Sequence, residues 1–387
     1  MKRVLFLNLI SATIMSMDNP QTPPPVITTL PSQVGPVQQV KFTPDGTRLV
    51  TMSTQLQVWN TSDYSEQPVT IDPKVLYQSS FGMSTDGTQI AQGYCLGKKA
   101  KKLLEIIDLV AGKVIKRVSV DKDLQGTDGL AYAIDDKSLL SAHGNGDCKM
   151  WDLATDKMSK TFKLEGSNTA YDVQINPTKP HEFATVYGNT NIVAIWDVRN
   201  EKKPVNTVTE QVPCMQLAYN NQGILAVGGE YNMYIHDKKM ELRALYDLQG
   251  NKMAPGQYPQ AIITDNYAPW QPNSITFMPT NYNVLVAAMD TNNIVVYNLE
   301  DQSQTQMFTT PDTVAPQSVD VHPSGLTMAV GGWLPSQTYI YDSSALNDLK
   351  AQVKNEELTG KAVILNNMKA ACADSPKKTA GSSCKIS

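Results

Sequence analysis

An apolar strand that closes on a large residue followed by Asp or Asn recurs seven times along this chain. The closures are Trp59-Asn60, Ile107-Asp108, Trp151-Asp152, Trp196-Asp197, His236-Asp237, Tyr297-Asn298 and Tyr341-Asp342. They are separated by 48, 44, 45, 40, 61 and 44 residues. Each unit opens with an alternating apolar strand and a tight turn, as in Val40-Lys41-Phe42-Thr43-Pro44-Asp45-Gly46 and Val319-Asp320-Val321-His322-Pro323-Ser324-Gly325. A unit of this size cannot bury its own apolar faces, so a period of about 40–45 residues predicts sheets stacked in a closed ring, each covering the next. The expected fold is all-β: a seven-bladed β-propeller of four-stranded antiparallel blades.

The strand pattern supplies the blades. Opening strands alternate at Val40/Phe42, Tyr171/Val173/Ile175, Met215/Leu217/Tyr219, Ile275/Phe277 and Val319/Val321, which puts those side chains on one face of a sheet. Second strands are rich in small residues (Ala226-Val227-Gly228-Gly229, Ala287-Ala288, Ala329-Val330-Gly331-Gly332), as crowded strands require. Pro44-Asp45-Gly46, Thr85-Asp86-Gly87 and Asn221-Gln222-Gly223 carry hairpin chemistry.

The ends follow from composition. Residues 1–25 form a leader. Lys2 and Arg3 precede an apolar stretch that resembles a short signal peptide ending near Ser16, and a frayed end or a start at Met15 or Met17 is the alternative. Residues 18–25 are too proline-rich for a helix or a sheet interior. Val26-Ile27-Thr28-Thr29-Leu30 is then an isolated β-branched strand. The last repeat has three clear strands, so the N-terminal strand is expected to close the ring as its fourth and remove open sheet edges. The propeller spans 26–345. Leu346, Leu349 and Val353 predict a helical extension over 346–372, and the Ser/Lys/Ala/Gly-rich residues 373–387 predict a disordered tail.

From residue 26 to 342 the chain resembles the WD-repeat family of seven-bladed propellers, on its period and on Trp151-Asp152 and Trp196-Asp197. Members of that family often place a Gly-His pair before the first strand, and this chain has none there. They also often place an Asp six residues before the Trp, within a buried polar tetrad. Those positions hold Ser53, Lys101, Asn145, Thr190, Glu230, Thr291 and Pro335. No blade carries the full network, so stability is expected from apolar packing between blades. Trp196-Asp197-Val198-Arg199 matches a box that in some WD-repeat proteins contacts a ubiquitin-ligase adaptor, a short motif with a high false-positive rate.

Little in the sequence points to chemistry. Charged residues are 18% of the 387, and the net charge is −4, which does not suit nucleic acid. Five cysteines (Cys95, Cys148, Cys214, Cys372, Cys384) form no CxxC, so no zinc site is expected, and a Cys372–Cys384 bridge stays open. His143, His181, His236 and His322 have no metal-ligand spacing. No GxSxG, Walker, GxGxxG or HExxH motif occurs, and neither an enzyme activity nor a cofactor is expected. No segment reaches membrane-spanning length. Asn60-Thr61-Ser62 fits a glycosylation acceptor, relevant only to an exported eukaryotic chain.

The candidate site lies in the departures from the repeat. In an up-and-down blade, the turn between second and third strands and the link to the next blade emerge at the same end. Three unusual segments therefore share one face: the turn with Lys98, Lys99, Lys101 and Lys102, the long link 249–272 with Tyr258, Tyr267 and Trp270, and the turn with Trp333. Aromatic anchors beside lysines suit a protein partner, with the lysines steering acidic groups. A solvated turn, or a link folded over the rim, is the plainer reading of each. The function expected is a monomeric, cytoplasmic protein-interaction scaffold. The alternative is an exported (secreted or periplasmic) propeller that binds or hydrolyses a ligand at its central channel.

Overall fold

The computed structural model describes residues 24–71, 78–94, 102–120, 127, 129–230, 232–247, 252–253, 271–300, 306–311, 315–333 and 336–347. Seven antiparallel sheets surround a central channel, and within six of them neighbouring strands follow chain order. The inner strands are Gln39–Phe42, Gln78–Met83, Gly129–Tyr132, Asp172–Ile175, Cys214–Tyr219, Pro272–Phe277 and Pro316–Val321. The N-terminal strand Val26–Leu30 pairs with Thr338–Asp342 in the last blade, with Thr28 opposite Ile340 and Leu30 opposite Thr338. The all-β seven-bladed propeller, closed by its N-terminal strand, is therefore the observed architecture.

Blade five departs from four strands. Lys252–Met253 adds a fifth strand to the outer strand Leu242–Asp247, pairing Tyr246 with Lys252. Because the pairing is antiparallel, the chain reverses at the end of the outer strand and runs back along the rim. Part of the 61-residue spacing is thus spent on covering a sheet edge.

The second strands read as continuous apolar runs because both faces of each are covered by neighbouring blades. Leu225–Gly229 and Val284–Met289 are buried at every position. The inner strands alternate instead, sending Val40 and Phe42 into the core and Gln39 and Lys41 toward the channel. Each apolar cluster bridges two blades. Met233 and Ile235 of blade five, for example, pack with Ile275, Leu285 and Tyr297 of blade six.

Apolar packing is not the whole account that the missing Asp residues suggested. Trp59, Trp151 and Trp196 lie opposite Leu49, Leu139 and Phe183 of their second strands. Two residues further along those strands stand Thr51, Ser141 and Thr185, and each hydroxyl accepts the indole N–H, at 3.1, 2.8 and 3.1 Å. Ser141 extends the bond to His143 Nε2 at 2.7 Å. In the four blades that close without Trp, the matching positions are Gln92, Val227, Ala287 and Val330. A buried hydroxyl without a partner costs about 1–3 kcal/mol, which accounts for its presence only where an indole uses it. Blade five closes on His236, and its Nε2 bonds the buried Glu210 carboxylate at 2.6 Å.

On the face opposite the links, the first turns of successive blades pack on one another. Gly46 in blade one has φ +72°, and a Cβ there would collide with the His322 imidazole of blade seven. In blade three the left-handed position is Asp136 (φ 53°), whose carboxylate accepts the Thr85 N–H of blade two at 2.8 Å and also the Thr85 hydroxyl.

A short helix, Ser344–Asn347, follows the last blade. Leu346 is buried with Met278, Val321 and Tyr341, and Asn347 Nδ2 donates to the Gly325 carbonyl at 2.9 Å. Leu349, Val353 and the remainder of the expected extension and tail lie outside the described residues, as does the leader through residue 23. Among the described residues no helix is long and apolar enough to cross a membrane.

Candidate functional site

The shared end inferred for the turns and links is present wherever both are described. The Glu230 N–H bonds Pro213 O at 2.9 Å, Asp290 N–H bonds Gln271 O at 2.9 Å, and Gln33 N–H bonds Ser336 O at 2.8 Å. On this linking face Trp333 is fixed by its backbone N–H on Ala315 O at 3.0 Å, while the residue is 45% exposed. Val34, on the adjoining link, is 67% exposed. Both residues therefore lie exposed on the linking face.

Of the other candidate residues, Lys98, Lys99, Lys101, Tyr258, Tyr267 and Trp270 lie outside the described residues. Lys102 begins the strand Lys102–Asp108 and pairs with Val120, at the linking end of blade two. The structure therefore describes Trp333, and Lys102 through its backbone. Arg199 of the Trp196-Asp197-Val198-Arg199 box is held within the blade. Its Nε and Nη2 bond Asp197 at 2.9 and 2.6 Å. Arg199 beside Asp197 holds that carboxyl down at about 2. Asn60 is exposed, and its Oδ1 accepts the Ser62 N–H at 3.1 Å.

The central channel contains a second constellation, unnamed at the sequence level. Its cavity measures about 440 Å³ and is lined by inner-strand residues from all seven blades. Polar side chains on one inner strand grip the backbone of the next. Gln39 of blade one accepts the Phe81 N–H at 2.6 Å and donates to Phe81 O at 3.1 Å. Ser318 of blade seven accepts the Val40 N–H at 3.0 Å, and Asp320 accepts the Phe42 N–H at 2.8 Å. Asp172 of blade four accepts the Leu217 N–H of blade five at 2.9 Å. Gly82 and Gly129 stand where backbones of adjoining blades touch, a Cβ at Gly129 lying 2.8 Å from Asp172 Cα.

Three channel residues are charged: Lys41, Asp172 and Asp320. Asp172 has protein on every side but its channel edge. That burial pushes its carboxyl up to about 7, against hydrogen bonds from Leu217, Val173 and Gln174. Burial also raises Asp320, and Lys41 is the leading influence opposing it. The signal for this constellation was the set of positions between the apolar ones on each inner strand. Lys41 and Asp320 stand between the apolar pairs Val40/Phe42 and Val319/Val321, at positions that alternation alone marks only as polar. Among the described residues no group of three His, Cys, Asp or Glu could hold a metal ion. Cys148 and Cys214 are buried free thiols, pushed up by burial.

No protein-family profile matches the chain, and no curated protein matches it at a significant level.

Proposed function

We propose that this propeller is a non-enzymatic, WD-repeat-type scaffold for protein–protein interaction, acting as a monomer in the cytoplasm. Propellers commonly serve as docking platforms, because a rigid ring presents its loops on a flat end. The observation that supports this reading is Trp333, whose backbone is fixed in a turn while the residue is 45% exposed, on the same face as the exposed Val34. A rigid aromatic on a loop is the kind of anchor that dominates interface energetics. The partner surface is expected to carry an apolar pocket for Trp333, with acidic groups facing the Lys98–Lys102 turn. The test is affinity capture from the native source with full-length wild type, Trp333→Ala, and a variant with Lys98, Lys99, Lys101 and Lys102 all changed to Ala. Loss of the same partner from both folded variants supports the site, and capture unchanged by both overturns it.

The channel cavity favours one second reading, an exported propeller with a ligand in that channel. The intact mass of the native chain separates the two: loss of about the first 16 residues means export, and a retained or Met15/Met17 start means the cytoplasm.

A further inference from the structure

The channel wall carries two carboxylates and one ammonium, and their placement is uneven. Asp320 accepts the N–H of Phe42, the residue next to Lys41, so its carboxylate lies beside the Lys41 stretch of backbone where blade seven meets blade one. Asp172 is on blade four, across the ring, and Lys41 is the last of the influences that favour its ionised form. Among the described residues Lys41 makes no ion pair with either carboxylate. Asp172 thus faces the channel as the carboxylate that the ammonium offsets least.

Its neighbours define what could fill that place. Oδ1 accepts the Val173 N–H at 2.7 Å and Gln174 Nε2 at 3.3 Å, and Oδ2 accepts the Leu217 N–H at 2.9 Å. A carboxylate offers about four acceptor sites, so one is left for an incoming donor. Gln216 and Gln174 line the same stretch of wall, and Gly82, Ala131 and Ala218 leave the bore open. A hard metal ion needs several oxygen ligands, and one free acceptor does not supply them. An anion would meet two carboxylates.

We propose that the central channel binds a small organic cation, a primary ammonium or guanidinium group, against Asp172, with Gln174 and Gln216 beside it. The cavity of about 440 Å³ admits a small amine but not a folded segment. The ligand takes the counter-ion role at Asp172 that Lys41, which pairs with neither carboxylate, does not fill. Binding requires the ionised carboxylate, so it is coupled to protons. The other titratable groups lining the channel are Lys41, Asp320 and the phenols of Tyr132, Tyr171, Tyr219 and Tyr282.

Calorimetric titration of the full chain with n-butylammonium chloride, against sodium chloride at equal ionic strength, tests this. Saturable binding is expected at pH 8, weakening roughly tenfold by pH 6, with proton release on binding at the lower pH. Asp172→Asn is expected to weaken binding at least about tenfold, and Lys41→Met to strengthen it by a similar factor through loss of the resident positive charge. Thermal unfolding establishes that each variant is folded. If Asp172→Asn does not fold, Lys41→Met and the pH series decide the matter by themselves. Absence of saturable binding to folded wild type, or binding abolished by Lys41→Met, overturns the proposal.

Discussion

His322 Nε2 donates to the Gly46 carbonyl at 2.9 Å, tying the first turn of the last blade to the first turn of the first. The tautomer follows from the other nitrogen, since Nδ1 accepts the Ser324 N–H at 3.1 Å and cannot carry the proton. Ring closure therefore rests on more than the N-terminal strand. Turn, inner-strand clamps and outer-strand pairing all cross the same seam.

Gly46 and Gly166 provide a matched pair for that seam. Both have left-handed backbones (φ +72° and +81°), but nothing lies within 4 Å of a Cβ at Gly166, whereas one at Gly46 meets His322. Gly166→Ala should cost about 1–2 kcal/mol, the price of the backbone conformation alone. Gly46→Ala should cost about 2 kcal/mol more, because the imidazole must also leave its bonds. Urea unfolding of the two variants measures the difference, and equal losses would remove the steric contact from the account.

The indole–hydroxyl pairs make a second comparison. Thr51→Val, Ser141→Ala and Thr185→Val each strand a buried indole N–H and should cost about 1–3 kcal/mol. Ser141→Ala and Thr51→Val should cost more than Thr185→Val, since they also remove the bonds to His143 and Gln33. Val227→Thr, which adds a hydroxyl where no indole waits, should destabilise as well. A stabilising Val227→Thr would mean that the hydroxyls are tolerated rather than required.

Glu210 and His236 stand in for the Trp pair in blade five. Glu210→Ala should lose about 1–3 kcal/mol by leaving the imidazole without its acceptor. Glu210→Gln keeps an oxygen at the same position and should lose less than half of that. Chemical denaturation midpoints decide between them, and indistinguishable losses would show that packing, not the bond, is what matters.

Asp172 should give the fold an unusual pH dependence. Its carboxyl is raised from 3.8 to about 7 in the folded chain, so the native state holds this proton more tightly than the unfolded state does. The resulting stability is fully present below pH 3.8 and is lost as pH rises through 7. Its size is at most about 4 kcal/mol, from about 1.4 kcal/mol per pKa unit. Asp320, shifted the same way, adds to it. The wild-type stability minus that of Asp172→Asn should fall between pH 4.5 and pH 8, and a flat difference would refute the assignment.

Blade number, order and closure are legible in the sequence because they rest on period and on strands that must hide an apolar face. Trp151, Trp196 and Val26-Ile27-Thr28-Thr29-Leu30 each carry that signal alone. The channel is not legible in the same way. Gln39, Lys41, Asp172 and Asp320 look like ordinary solvent-side positions, and only ring closure turns seven such sides toward one another. The same holds for His236, which reads as a lost aromatic until Glu210 arrives from the preceding link. The fifth strand at Lys252–Met253 is too short to show a period. Of the site expected on the linking face, Trp333 stands exposed where the repeat departs from pattern, while Lys98, Tyr258 and their companions lie outside the described residues.

The strand that completes the last blade is synthesised before every other described strand. Ser32 must wait for Ser336, 304 positions later, before it finds its partner. Until then the last blade lacks its outer strand and the first segment has nowhere to go. Closing so long a loop adds little to the equilibrium cost, since that grows only with the logarithm of length. It weighs instead on the rate, because contacts so distant in sequence form late. Assembly should therefore proceed as an open arc that gains blades in order and locks in one final step. A chain cut short anywhere before its last strand would be left as that arc, with two raw edges ready to find each other in a neighbour.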